Sequence, residues 1–297
     1  MNFKKTYEES EYFIKQAMKE KGTIEKEVHF SGVGIHSGKR VDIFLRPSAG
    51  GEIIFRRSDL GNLELPLDPK KTEADNSTSL VCKGCKIQTL EHLLAVLFMF
   101  GIDSLVIELN GPEIPAMDGS ASPFAQAVLQ AGVKRLAQEK KTFKILKPYT
   151  IREEEDAFLS FFPDSDFRIT YSIEYDHPLI RRQQLSLRLD QDSFIREIAP
   201  ARTFGFMKDV PSLRSRGLAA GGTLDNAVVL DEKGVISGSL RYPDEFVRHK
   251  ILDLIGDLSL LGSPLSGHFK AHKAGHRLHL KAIYLLLDNP EFWIYEK

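Results

Sequence analysis

The most informative residues in the sequence are three ionisable side chains inside a long apolar segment. His249, Asp253 and Asp257 follow one another at every fourth position, among leucines and isoleucines. In a helix, at roughly 100° per residue, this spacing keeps all three on one face. Buried imidazoles and carboxylates cost free energy unless they are paired or bind a metal. The pattern therefore predicts either a hydrogen-bonded His–Asp pair or a metal site.

A second polar pair favours the metal site. Glu91 and His92 open another strongly apolar segment, and no second histidine follows one helical turn later, so this helix supplies one ligand only. His249 and Asp253 can complete a His-His-Asp set with a fourth position open to water, which is typical of catalytic zinc sites. Glu91, beside a ligand without being one, is then the candidate general base.

A histidine-rich segment near the C-terminus offers a second proton-transfer group. Four of the nine histidines lie between Gly267 and His279, and we expect most of them at the surface. His276 follows Gly275 at the start of a predicted helix. Because amide hydrolysis must also protonate the departing nitrogen, His276 is the candidate for that role.

Other motifs give no support to alternative chemistry. Cys82 and Cys85 form one CxxC, which is half of a zinc knuckle, and Lys83-Gly84 between two strand-like runs favours a hairpin turn with reduced thiols. The sequence contains no GxGxxG, Walker or GxSxG motif, so nucleotide-cofactor and serine-hydrolase chemistry lose support. Asp118-Gly119-Ser120 is interpreted as a turn.

Composition excludes several classes of protein. The chain has 297 residues, with 40 basic against 41 acidic side chains and 42% apolar content. This balance predicts a substantial core and no nucleic-acid partner. The longest apolar run is far shorter than the roughly 20 residues of a membrane span, and the N-terminus lacks a signal-peptide core. We therefore expect a soluble, cytoplasmic protein without a transmembrane segment.

The elements that must position the candidate residues occur twice along the chain. In the first half, apolar residues at 41, 43 and 45 alternate as in a strand, and a buried helix over 89–100 stops at Gly101. A strand at 104–109 and a helix opening at Ser122-Pro123 follow. In the second half, apolar residues alternate as in strands within 167–189. A helix over 244–261, a strand over 267–270 and a helix over 275–287 are predicted to follow.

This repetition predicts an α+β fold of two related domains, each a mainly antiparallel sheet layered on helices. The charged stretch 138–142 is the predicted joint between them. The resulting division is an N-terminal extension over 1–22, a first domain over 23–140 and a second domain over 141–297.

Seven motifs together resemble the UDP-3-O-acyl-N-acetylglucosamine deacetylase family, the zinc enzymes of lipid A synthesis. The resemblance covers the chain from about residue 23 to the last helix. Its motifs are Thr89-Leu-Glu-His92, Pro115-Ala-Met-Asp-Gly-Ser-Ala121, Ala201-Arg-Thr-Phe-Gly205, Leu213-Arg-Ser-Arg-Gly-Leu218, Gly222-Thr-Leu-Asp-Asn226, Arg248-His-Lys-Ile-Leu-Asp253 with Gly256-Asp257, and Gly275-His276.

The resemblance implies roles for individual residues at a site between the two domains. The implied metal ligands are His92, His249 and Asp253, and the implied catalytic groups are Glu91, His276, its carboxylate partner Asp257 and the hydroxyl donor Thr203. Lys250 and Phe204 match substrate-contacting positions. An insert at about 207–237 matches the family's passage for a fatty acyl chain, with its segment 217–222 either a wall of that passage or a flexible loop.

The implied activity is zinc-dependent hydrolysis of the 2-acetamido group of UDP-3-O-(3-hydroxyacyl)-N-acetylglucosamine, the committed step of lipid A biosynthesis. Ferrous iron is an alternative metal. Because the implied substrate carries an acyl chain, peripheral contact of the protein with a membrane is also consistent with the resemblance. Two rival hypotheses are a non-catalytic binder of acylated nucleotide sugars and a zinc amidohydrolase with another substrate. The sequence departs from the family pattern at residues 1–22, at Ala274 where Ser is common and at His279 where Asn is expected. It indicates no oligomeric state.

Overall fold

The computed structural model describes residues 20–153, 156–236 and 238–297. The predicted N-terminal extension lies outside the described residues except for its last three, which begin the first strand. The elements of the first half are β1 (Glu20–Ile24), β2 (Val28–Val33), β3 (Arg40–Pro47), β4 (Ile53–Arg57), β5 (Leu63–Pro66), β6 (Thr72–Ala74), β7 (Thr78–Cys82), β8 (Cys85–Ile87), α1 (Glu91–Met99), β9 (Leu105–Leu109), α2 (Ser122–Ala131) and β10 (Val133–Glu139).

The second half has a similar content of strands and helices. Its elements are β11 (Thr142–Ile145), β12 (Tyr149–Arg152), β13 (Phe158–Phe162), β14 (Phe167–Tyr175), β15 (Arg181–Arg188), α3 (Gln191–Ser193), β16 (Phe204–Phe206), α4 (Val210–Ser215), β17 (Val228–Leu230), α5 (Glu245–Leu258), β18 (Leu265–His272), α6 (His276–Asp288) and β19 (Trp293–Glu296). Among the described residues, no helix is both long and apolar enough to cross a membrane.

The main sheet of the first half has the strand order β2-β3-β9-β4-β5. Its neighbours are antiparallel except β4 and β9, which are parallel. The predicted alternation on β3 is confirmed, because Val41, Ile43 and Leu45 are all fully buried. Strands β6, β7 and β8 form a smaller sheet, and β1 pairs with β10.

The seven-stranded sheet of the second half is built around β18. This strand is antiparallel to β13 and parallel to β11 and β14, and its contact with three strands explains why it is longer than the predicted 267–270. The last strand, β19, was not predicted. It pairs with β11, where the Trp293 ring stacks on Phe143 at 4.3 Å, a contact that local sequence does not reveal.

The predicted fold class, α+β with mainly antiparallel sheets layered on helices, is confirmed by these sheets. Each described strand pairs only with strands on its own side of residues 140 and 141. This pairing supports the division of the chain into domains at that point, and the domain limits stay a prediction.

The predicted hairpin at the two cysteines is confirmed. Cys82 and Cys85 are paired residues of β7 and β8, and both thiols are free. Lys83 and Gly84 between them have φ values of 52° and 73°, which a two-residue hairpin turn of type I′ requires. The predicted cap at Ser122 is one residue off, because Ala121 is the N-cap of α2.

The two buried helices, α1 and α5, pack directly against each other. Their closest approach is at Gly256, where a Cβ atom would lie 2.1 Å from the carbonyl oxygen of Glu91. A glycine in the middle of a helix weakens it, so its presence here serves the close contact. This contact places the N-terminus of α1 beside the polar face of α5.

Candidate metal and catalytic site

Three predicted ligands from the two halves converge where α1 meets α5. The ligand atoms of His92, His249 and Asp253 all lie within 4.8 Å of one another, and the three residues are buried. Oδ1 of Asp253 is 3.6 Å from Nε2 of His92 and 3.3 Å from Nε2 of His249. Ligands about 2.0–2.1 Å from a tetrahedral zinc ion are roughly 3.3 Å apart, so the donor set fits such an ion.

The protonation state of His249 suits a ligand. Its Nδ1 atom donates a hydrogen bond to the carbonyl oxygen of Ala201 at 3.1 Å, which leaves the Nε2 lone pair directed toward Asp253. Burial lowers the pKa of His249 to about 3, although the charge of Asp253 opposes this. The imidazole is therefore neutral near pH 7, as metal binding requires.

The carboxylate of Asp253 is ionised in spite of its burial. Burial alone would raise its pKa, but the charge of Lys250 and the interactions with the neighbouring histidines outweigh it and lower the pKa well below the usual value. Nζ of Lys250 donates to Oδ2 at 2.7 Å, which leaves Oδ1 facing the two histidines. Lys250 was expected at a substrate-contacting position, and here it also neutralises a predicted ligand.

Glu91 occupies the first turn of α1, next to His92. Burial raises its pKa above the ordinary value, and the neighbouring His276 opposes the rise. One carboxylate oxygen accepts a hydrogen bond from the backbone N–H of Thr78 at 3.0 Å, and the other is 3.9 Å from Nε2 of His276. A carboxylate whose pKa is raised in this way is a better proton acceptor than an ordinary glutamate.

His276 is the first residue of α6 and faces the same space. Its Nε2 atom lies 3.8 Å from Oδ2 of Asp253, and its Nδ1 atom bonds Oδ2 of Asp257 at 2.8 Å. Burial alone would lower the pKa of His276, but Asp257, Glu91 and Asp253 together raise it to about 10. The predicted partnership of His276 with Asp257 is thus present in the structure as a hydrogen bond.

The expectation that most histidines of the 267–279 segment lie at the surface is wrong. His276 and His279 are buried, and His268 and His272 are half-buried. His279 is fully buried and bonds Oδ2 of Asp257 through Nδ1 at 2.8 Å. Its position three residues after His276 places both rings on one face of α6, which is the signal that the sequence contained.

The remaining predicted residues lie around this centre. The Phe204 ring is 6.3 Å from the His249 ring, and Nζ of Lys250 is 5.6 Å from the centre of the Phe204 ring. The backbone N–H of Thr203 donates to the carbonyl oxygen of Gly119, and its carbonyl oxygen accepts from the N–H of Val228. All residues of the predicted site except Thr203 are thereby linked by contacts to one another.

Two segments outside the centre form hydrogen bonds between the two halves of the chain. Asp118 accepts hydrogen bonds from the backbone and side chain of Ser120, as expected for a turn, and also binds Arg241 from the second half. In the 217–222 segment, Ala220 and Gly221 donate backbone hydrogen bonds to His36 and Ile35. This segment therefore docks on the first half.

Sequence comparisons give the relationships of the chain. Residues 21–288 match the family described as UDP-3-O-acyl N-acetylglycosamine deacetylase. A UDP-3-O-acyl-N-acetylglucosamine deacetylase of Thermodesulfovibrio yellowstonii is 46% identical over 267 residues, which are 90% of this chain and 91% of that protein. Proteins with the same name from Myxococcus xanthus and Geotalea uraniireducens are 44% and 42% identical, over 90% and 91% of this chain and 86% and 89% of their own lengths.

Proposed function

The chain belongs to the UDP-3-O-acyl-N-acetylglucosamine deacetylase family, and from this membership we propose the course of its reaction. The enzyme is a deacetylase of lipid A biosynthesis that hydrolyses the 2-acetamido group of a UDP-3-O-(3-hydroxyacyl)-N-acetylglucosamine. The products are acetate and the corresponding UDP-3-O-acyl-glucosamine. The convergence of three histidines and three carboxylates in one buried space is the observation that supports this chemistry most directly.

We propose that His92, His249 and Asp253 bind a divalent metal ion. This ion is zinc, with ferrous iron as the alternative. The neutral imidazole of His249 and the ionised carboxylate of Asp253 support this assignment. When bound, such an ion supplies a Lewis acid that polarises the acetamido carbonyl and lowers the pKa of the attacking water.

Glu91 is the proposed general base. Its raised pKa lets it hold a proton taken from water, and the hydrogen bond from Thr78 fixes one of its oxygens. The second oxygen faces Nε2 of His276 across 3.9 Å, so the proposed base and the proposed acid group border the same space.

His276 is the proposed electrostatic and acid group. Its pKa of about 10 keeps the imidazole protonated at neutral pH, with Asp257 bound to Nδ1 and Nε2 free toward the reaction space. A fixed cation there stabilises negative charge on the carbonyl oxygen as water adds. Thr203 is proposed as a further hydroxyl donor to the same oxygen.

Lys250 and Phe204 are proposed to contact the substrate at the border of the site. Lys250 is half-buried between Asp253 and the face of Phe204, so its ammonium can contact a polar group of the sugar nucleotide while Phe204 covers an apolar surface. The insert over 207–237 is proposed to carry the acyl chain, and a cytoplasmic location is proposed from the water-soluble nucleotide part of the substrate.

The rival hypotheses predict different outcomes of one experiment. Metal analysis of the purified protein is combined with acetate release from UDP-3-O-acyl-N-acetylglucosamine and from unacylated UDP-N-acetylglucosamine. We expect about one metal ion per chain and release that strongly prefers the acylated substrate. Equal release from both would indicate a general amidohydrolase, and binding without release would indicate a non-catalytic binder.

A further inference from the structure

The carboxylate of Asp257 is shared between two imidazoles. Oδ2 lies 2.8 Å from Nδ1 of His276 and 2.8 Å from Nδ1 of His279, while Oδ1 accepts from the hydroxyl of Thr78. Asp257 and His279 are both fully buried. Because a carboxylate is acceptor-only, both Nδ1 atoms must carry a proton.

The other side of the His279 ring contacts the hydroxyl of Tyr171. Nε2 lies 3.2 Å from the hydroxyl of Tyr171, and this hydroxyl donates to the carbonyl oxygen of Ala274 at 2.6 Å. Ala274 lies two residues before His276, where the chain enters α6. The contacts therefore close a ring that runs from His276 through Asp257, His279 and Tyr171 back to the backbone before His276.

We propose that His279 is a positioning residue, which fixes the Asp257 carboxylate and thereby the orientation of His276 toward the reacting amide. The effect of His279 on catalysis rests on the proposed function. Its effect on the orientation of His276 rests on the hydrogen bonds alone. The His276 and His279 rings are 6.0 Å apart and inclined by 77°, so they do not stack, and the carboxylate is what joins them. Without a donor at residue 279, Oδ2 loses one of its two bonds, and the carboxylate is held only by Thr78 and by His276 itself.

Two variants separate positioning from packing. Asn at residue 279 places an N–H donor three bonds from Cα, as Nδ1 of histidine does, whereas Leu fills similar space without a donor. We expect kcat for acetate release to fall on the order of ten- to a hundred-fold in His279→Leu, with KM and bound metal unchanged, and to recover in His279→Asn. Leu286→Ala, which removes packing on the same helix, serves as the control.

A second measurement does not depend on activity. In protein with 15N-labelled histidine, long-range 15N–1H spectra report whether each ring nitrogen of His276 carries a proton and how many states the ring occupies. We expect one Nδ1-protonated state in the wild type and in His279→Asn, and several or exchange-broadened states in His279→Leu.

The outcomes decide the role of His279 and the proposed function separately. An unchanged His276 spectrum in His279→Leu overturns the positioning role, as does an equal loss of kcat in the Leu and Asn variants. If the wild type releases no acetate while its His276 signal still depends on residue 279, the proposed function fails and the positioning role stands.

Discussion

Replacing Gly256 by alanine tests whether the contact between α1 and α5 builds the site. The added Cβ would lie 2.1 Å from the carbonyl oxygen of Glu91 and 2.8 Å from its Cα, against 3.4 Å where ordinary contact begins. The helices must therefore separate by more than about 1 Å, because both obstacles are backbone atoms that cannot rotate away.

The sign of the change in the free energy of unfolding distinguishes the effect of this helix contact from the effect of helix propensity. A glycine-to-alanine change inside a helix normally stabilises by about 0.5–1 kcal/mol. Overpacking a core costs about 1–3 kcal/mol, so a net loss of about 1–2 kcal/mol is expected. For a chain of this size that corresponds to a fall in Tm of several degrees, at roughly 2–4 °C per kcal/mol.

The same separation also predicts loss of metal. His92 moves with α1, whereas His249 and Asp253 stay on α5, and metal–ligand distances tolerate only about 0.2 Å. The assay is thermal unfolding with metal analysis, and Gly50→Ala in an exposed loop is the matched control, since its Cβ would meet its nearest neighbour at 3.5 Å. A higher Tm with full metal content in Gly256→Ala would refute the argument.

Three further predictions concern the chemistry. Alanine at any of the three proposed metal ligands should remove metal and activity together, measured by metal analysis and acetate release, and a variant that keeps its metal would lose that assignment. Glu91→Ala should keep the metal and lose rate on the order of 10² to 10⁴, so parallel loss of metal would identify Glu91 as a ligand. Activity that needs protonated His276 should be lost as the pH rises through its pKa of about 10. Asp257→Asn should move this alkaline limb to lower pH, and a limb that persists in His276→Gln would belong to another group.

Local sequence was sufficient where a property depends on neighbours along one element. The four-residue spacing of His249, Asp253 and Asp257 placed them on one helical face, and α5 confirms it. The hairpin at the cysteines and the buried alternation of β3 follow from the same kind of short-range pattern. The ends of elements were predicted less accurately. The helix predicted to start at residue 89 begins at Glu91, because Thr89 has a φ of 61°.

Contacts between distant residues were beyond such patterns. His279 was expected at the surface with most of its neighbours, and only the approach of α6 to α5 buries it against Asp257. Thr78 carried no signal, although it bonds both Glu91 and Asp257 from β7.

The sequence by itself therefore determined which residue types stand on which helical face, because helix and strand periods are local and act over a few residues. Only the tertiary structure decided that Glu91 and His92 meet Asp253 and His276, because their separation in space depends on how closely two helices pack. At Gly256 the helices approach so closely that a Cβ atom would lie 2.1 Å from the carbonyl oxygen of Glu91. The pKa values follow from it, since they depend on burial and on charges that the packing brings together.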